Sequence, residues 1–317
     1  MARKRREEIQ MTSGRLPRPV YLDMDPGHDD ALALLAALRA VTVRGVTTVA
    51  GNQRGELTFL NARRVLRVAG RTEVAVRRGY DQPLLRRLVT AEQVHGASGL
   101  DGYHFQPEPE PSPDDGMGAM EWLDHRLAAE PDPVDWVATG PLTNVAAFLL
   151  GHPHRKRQLK QITFMGGSLG AGNVTPYAEF NTYVDPEATA LVLSSGLPVA
   201  MVGLDVTLKA LLAHGDIDRF LRLPGEVGAM LFGLFRFFGG HEPSANAGGM
   251  PVHDVLAVAA VAHPEFFRWQ DVPLRVECRD PERRGAMTRV EGFPVTRVAV
   301  EVDVKAFFDW LWRTLEG

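Results

Sequence analysis

The chain holds a single cysteine, Cys278, among 317 residues. A disulfide framework and a cysteine-based metal site are therefore excluded within one chain, and the usage fits a reducing compartment, so a cytoplasmic location is expected. No segment approaches the ~20 apolar residues of a membrane span. The N-terminus carries Arg3-Lys4-Arg5-Arg6 with no apolar stretch after it, which is not the pattern of a secretory signal. Residues 1–18 read as a disordered basic tail and 19–317 as one folded domain. Net charge is only -4, which argues against a general nucleic-acid binder. Repeats and interdomain linkers are also missing. What remains is an ordinary soluble composition, 45% hydrophobic and 23% charged, long enough for one large α/β domain.

One stretch stands out against that background. Val20 to Leu22 is apolar, Asp23-Met24-Asp25-Pro26-Gly27-His28-Asp29-Asp30 follows, and Ala31 to Leu35 is apolar again. This reads as a buried strand, a tight turn and a helix. It places four carboxylates within eight residues. Two like charges ~4 Å apart repel by roughly 4 kcal/mol at an effective dielectric of ~20, and a bound cation removes that penalty. Oxygen ligands suit Ca²⁺ or Mg²⁺. Asp23 and Asp25 share one face of the strand end, and Asp29 and Asp30 fall in the first helical turn, where the dipole favours anions. An EF-hand loop starting at Asp23 fails, because His28 and Leu34 occupy the positions that require Gly and an acid. A phosphohydrolase with an aspartyl nucleophile also uses Asp-x-Asp after a strand and stays open as an alternative.

Downstream, strands are expected at Val41–Val49, Val74–Val76, Val134–Ala138, Gln161–Met165 and Pro198–Leu204. Helices are expected at Glu56–Ala69, Gly116–Ala129, Val145–Leu150, Asp185–Ser195 and Val255–His263. Thr143 or Asn144 is a candidate N-cap. Gln82–Asp115 and Gly239–Met250 read as loops. Val272–Glu277, Ala286–Val290 and Val295–Val302 suggest an antiparallel extension, closed by an amphipathic helix at Val304–Leu315. The alternation predicts a single α/β domain with a mostly parallel twisted sheet and helices on both faces, Rossmann-like, with that antiparallel extension near the C-terminus.

Asp23 to Ala31 resembles the signature of the inosine/uridine-preferring nucleoside hydrolases. Later stretches agree in the same order: Val49-Ala50-Gly51-Asn52, His95-Gly96-Ala97-Ser98-Gly99, Thr139-Gly140-Pro141-Leu142-Thr143-Asn144, Met165-Gly166-Gly167, Asn173, Glu179-Phe180-Asn181, Asp185-Pro186-Glu187-Ala188 and Val252-His253-Asp254. The resemblance covers the chain from about Val20 to its end. It implies Ca²⁺-dependent hydrolysis of the N-glycosidic bond of ribonucleosides, with water as nucleophile. It assigns carboxylates of Asp25, Asp30 and Asp254 and the backbone carbonyl of Thr139 to the metal, with Asp25 also the general base. It assigns Asp29, Asn52, Asn173, Glu179 and Asn181 to the ribose, Met165 to packing against the sugar, and Asp23 to support from behind. It makes His253 the acid for the departing base and His95 a base contact. It also implies a homodimer or homotetramer.

His28 stands where the family usually has an aliphatic residue and reads as a local variation. His152 and His154 read as solvated surface. The loop Gly239–Met250 departs from the family in carrying no tyrosine or tryptophan, which leaves the base contact open, with Tyr177 or the Gln82–Asp115 region as substitutes. A non-catalytic ribose- or nucleoside-binding protein on the same fold is the further alternative.

Overall fold

The computed structural model describes residues 18–107, 116–243 and 248–317. The tail up to residue 17, part of the expected loop 82–115, and residues 244–247 of the expected loop 239–250 lie outside them.

The opening segment forms β1, Pro19–Met24, and then the helix His28–Ala40. β1 is buried along nearly its whole length because it is central. It pairs in parallel with β2, Thr42–Thr48, on one side and with β4, Val134–Ala138, on the other. β3, Val76–Arg78, lies outside β2. β5, Leu159–Met165, and β6, Val199–Val202, continue beyond β4. A short antiparallel pair, β7 (Leu211–Leu212) with β8 (Met250–Pro251), stands apart from this sheet. β9, Phe267–Val276, and β10, Met287–Arg289, are antiparallel neighbours, and β11, Val295–Val302, joins them to the rest. The sheet order is β10-β9-β11-β6-β5-β4-β1-β2-β3.

The fold class matches the expectation, with one refinement. β11 is antiparallel to β9 but parallel to β6, so it completes the main sheet and only β9 and β10 form the antiparallel extension. Two hydrophobic clusters cover the faces. One gathers the helices His28–Ala40, Glu226–His241, His253–Ala262 and Val304–Glu316; the other gathers Thr143–Gly151 and Pro186–Leu193.

The chain winds outward from β1 to β3 and then restarts at β4 in the opposite direction. The crevice between the carboxyl ends of β1 and β4 is therefore the switch point where ligands bind in open α/β sheets. The Thr139 amide donates to the Asp23 carbonyl at 2.8 Å across this crevice.

Several local expectations need correction. The third strand is displaced to Val76–Arg78, because its pairing with β2 starts at Val46 opposite Val76. The helix after β4 begins at Thr143 with Leu142 at its N-cap and no side-chain cap. Thr143 and Asn144 are spent on long-range bonds instead, to Asp185 and Asp23. The segment 82–107 contains a short helix, Glu92–His95. Glu226–His241 runs through Gly239 and Gly240, so the expected loop starts later. None of the described helices is long and apolar enough to cross a membrane.

Candidate active site

The four acids of the opening segment take different places. Asp23 is fully buried behind the crevice, and its Oδ1 accepts from Thr47 Oγ1 at 2.5 Å and Asn144 Nδ2 at 2.7 Å. Its Oδ2 has no partner, and burial pushes its carboxyl up to about 7. Asp25 accepts the Asn52 amide on Oδ2 at 2.7 Å, while its Oδ1 is buried without a partner. Glycine is required beside it: a Cβ on Gly51 would lie 2.1 Å from Asp25 Oδ2, and one on Gly140 would lie 2.7 Å from Oδ1.

Asp30 closes back on its own turn. Its Oδ2 accepts from the Gly27 amide at 3.0 Å and Asn52 Nδ2 at 3.1 Å, and its Oδ1 accepts Thr139 Oγ1 at 2.7 Å. Asp254, in the first turn of His253–Ala262, joins from the far end of the sequence. Asp29, Asp30 and Asp254 present oxygens within 4.8 Å of one another. Asp25 falls outside that triple, but its charge acts on Asp254.

Like charges at this separation repel by at least about 3 kcal/mol at an effective dielectric of ~20. Burial first, and neighbouring carboxylates second, push Asp25 and Asp254 well above the usual range and Asp29 up to about 8; burial also raises Asp30, against its hydrogen bonds. Among the described residues, the largest influences on these four acids include no lysine or arginine. A group of buried carboxylates without an internal counter-charge, one with an orphaned oxygen, fits a hard cation. The same lack of a basic side chain disfavours the phosphohydrolase alternative, which needs one aimed at phosphate.

The residues expected at the ribose form a continuous network from this centre. Asn181 Nδ2 donates to the Thr139 carbonyl at 2.7 Å, to the Met165 carbonyl at 3.2 Å and to Met165 Sδ at 3.6 Å. Glu179 caps the short helix Phe180–Val184. Its Oε1 accepts the Asn181 amide at 2.8 Å, and its Oε2 accepts Gly167 and Thr182 amides at 2.8 and 3.1 Å. Asn173 sits exposed at the rim, where its Oδ1 accepts the Phe180 amide at 2.9 Å. Asn52 spends its amide and Nδ2 on Asp25 and Asp30, so it orders the carboxylates as well as lining the site.

The other end of the site is built from aromatic rings and histidines. His28 is fully buried and stacks on His95, with centroids 5.2 Å apart, and on Phe237 and Phe238 from Glu226–His241. Its Nε2 faces the Asp101 carbonyl at 2.9 Å. A carbonyl only accepts, so that nitrogen carries a proton. Burial holds both His28 and His95 below the ordinary histidine range, so both rings are neutral at pH 7. Nδ1 of His28 is then an acceptor, and its 2.9 Å contact with His95 Nδ1 requires the proton on His95. These two short bonds outweigh the longer 3.3 Å approach of the His28 amide to the same His95 atom. His95 is left with an unprotonated Nε2. His253 places Nδ1 2.7 Å from Thr207 Oγ1, and burial lowers it to about 4.

Sequence reasoning missed His28, Phe237 and Phe238 as parts of this wall. The signal for His28 was present, as a polar ring in a position otherwise aliphatic. The phenylalanines gave none, since a buried helix face reads the same way.

A family model described as inosine-uridine preferring nucleoside hydrolase matches residues 20–309. A pyrimidine-specific ribonucleoside hydrolase RihA of Enterobacter sp. (strain 638) is 41% identical over 94% of this chain and 97% of its own length. The protein of the same name from Salmonella agona (strain SL483) is 40% identical over 94% and 98%. Among solved structures, the plant nucleoside hydrolase PpNRh1 superposes with a TM-score of 0.88 at 29% identity, covering 95% of this chain and 99% of that one. A purine-preferring ribonucleoside hydrolase from Gardnerella vaginalis gives 0.88 at 29%, over 95% and 98%. With a carboxylate centre at the sheet's switch point and a match across nearly the whole chain, this protein belongs to the inosine-uridine preferring nucleoside hydrolase family and is a ribonucleoside N-glycosidase.

Proposed function

We propose that the chain hydrolyses pyrimidine ribonucleosides to ribose and free base, and that it does so with Ca²⁺ bound by Asp25, Asp30, Asp254 and the Thr139 carbonyl. The observation that carries the metal reading is the unpartnered, buried Oδ1 of Asp25 beside three further acids without a counter-charge. The pyrimidine preference follows the relatives at 40 and 41% identity, whose names specify it, over the more distant structures at 29%. A bound Ca²⁺ supplies the missing positive charge and acidifies water.

Asp25 acts as general base, its free Oδ1 taking one proton from the attacking water. As the water oxygen bonds to C1′, the C1′–N bond breaks and its electron pair leaves with the base, through a state positive on the sugar. Glu179 and the carboxylates face that positive charge. Asp29, Asn52, Asn173 and Asn181 hold the ribose hydroxyls, and Met165 packs against the ring. The Glu179 carboxylate is already held by three backbone amides, so it serves as a fixed negative group.

His253 is neutral at pH 7. With the Thr207 hydroxyl donating to Nδ1, its Nε2–H donates a hydrogen bond that stabilises the negative charge on the departing base, which takes its proton from solvent. His95 offers an acceptor at Nε2 to a base N–H.

The test is base release from uridine, cytidine, inosine and adenosine, with and without chelator. Turnover of the pyrimidines that disappears on chelation and returns with Ca²⁺ supports the reading. Purine turnover alone, or undiminished rates without divalent cations, overturns the substrate or metal assignment respectively.

A further inference from the structure

A second group of potential ligands lies away from the crevice. Asp124 is on the helix Ala119–Ala128, His152 ends the helix Thr143–Gly151, and His154 follows in the turn Pro153–Gln158. That turn leads into the start of β5, so the group sits at the opposite end of the strands from Thr139 and the carboxylates. His152 Nδ1 and His154 Nε2 both face one atom, Asp124 Oδ1, at 3.2 and 3.4 Å. The three side chains offer ligand atoms within 4.8 Å of one another.

The distances fit ligands around a shared ion. An imidazolium–carboxylate hydrogen bond closes to about 2.7–2.9 Å, as the neighbouring Arg155 Nε does on the same oxygen at 2.7 Å. The imidazoles stay farther out. Donors 2.0–2.1 Å from a tetrahedral ion stand about 3.3 Å apart, which is the spacing both histidines keep from Oδ1. His152 is held there by stacking on Phe148, with centroids 4.8 Å apart and planes 20° from parallel. Arg155 also reaches Oδ2 at 3.4 Å. A carboxylate has several lone-pair directions, and a hydrogen bond to a ligating carboxylate is the usual outer support of a metal site.

We propose that Asp124, His152 and His154 form a second metal site that takes a borderline transition cation such as Zn²⁺, with solvent completing the coordination. Two imidazole nitrogens and one carboxylate suit such an ion and not Ca²⁺. The ion ties Ala119–Ala128 to the turn after Thr143–Gly151. It is independent of the acidic centre and of turnover.

The test uses untagged, chelator-treated protein resaturated with Ca²⁺, titrated with Zn²⁺ by calorimetry and with Co²⁺ by visible absorption. The wild type is expected to bind one Zn²⁺ and to raise its unfolding temperature. His154→Asn, at an exposed position, is expected to weaken Zn²⁺ at least about tenfold and to change the Co²⁺ spectrum, with nucleoside turnover unchanged. His152→Gln combined with His154→Asn should abolish both signals. The proposal is overturned if the wild type takes up no Zn²⁺ at millimolar concentration. It is equally overturned if His154→Asn leaves affinity and spectrum unaltered, or if Asp254→Asn alone removes the binding.

Discussion

The Nδ1 atoms of His28 and His95 stand 2.9 Å apart, and the far nitrogen of His28 is tied to the Asp101 carbonyl. A fully buried residue thus decides which nitrogen of His95 carries the proton. His28→Leu keeps the buried volume and removes both bonds. Losing an ordered hydrogen bond of about 1–2 kcal/mol should lower kcat/KM about 5- to 30-fold, with a folded protein by circular dichroism. An unchanged kcat/KM for every nucleoside would show that His95 needs no such partner.

Asp25→Asn is expected to lower turnover by at least about a thousandfold, since the proposed base and a proposed ligand are lost together. The same change relieves repulsion among buried acids. The cation-free variant should therefore unfold at a higher temperature than cation-free wild type, while the stabilisation gained on adding Ca²⁺ shrinks. Calorimetry in chelator and in Ca²⁺ reads both; a variant that is less stable than wild type in chelator contradicts the repulsion argument.

The cation-free protein should lose stability as pH rises. Burial lifts Asp29 from 3.8 to about 8 and Asp23 from 3.8 to about 7. A carboxyl with a raised folded pKa keeps its proton in the folded state over that interval, while the unfolded chain has released its own. The contribution is complete below pH ~4 and is lost towards pH ~7–8, at a slope of up to about 1.4 kcal/mol per pH unit for each group. Denaturant melts across this range check it, and Ca²⁺ should flatten the curve because it holds the acids ionised. Stability that rises with pH in chelator would refute it.

Gly51→Ala brings a methyl to 2.1 Å from Asp25 Oδ2. The carboxylate must swing away from the Asn52 amide, so activity and Ca²⁺-dependent stabilisation should both fall at least about tenfold in rate or affinity. Gly70→Ala is a control for folding: space there is open, but the backbone φ of +65° adds strain. It should cost about 1 kcal/mol of stability and leave kcat/KM alone.

The centre of this site was legible because its chemistry is concentrated. Four acids around one turn announce themselves, and the strand–turn–helix pattern places them at a sheet's carboxyl edge. The apolar strands were legible for the same reason, since burial on both faces selects β-branched runs. Residues whose purpose lies far away in sequence were not legible. Asn144 reads as a helix cap until the fold shows its Nδ2 on Asp23. Glu179 and Asn181 stood out only through the resemblance, and only the amides of Gly167 and Thr182 reveal that Glu179 is a cap. The aromatic wall was hidden because Phe237 and Phe238 follow the spacing of any core helix.

The order of β1, β4 and the helix His253–Ala262 along the chain has a consequence for synthesis. The ribosome delivers Asp25 and Asp30 early, Thr139 midway and Asp254 only near the end. A nascent chain therefore carries its acids in water and cannot complete the proposed ligand set until the last quarter emerges. A product truncated before Asp254 lacks one of the proposed ligands as well as β9, β10 and β11, so it is expected neither to hold a cation nor to turn over nucleosides while awaiting degradation.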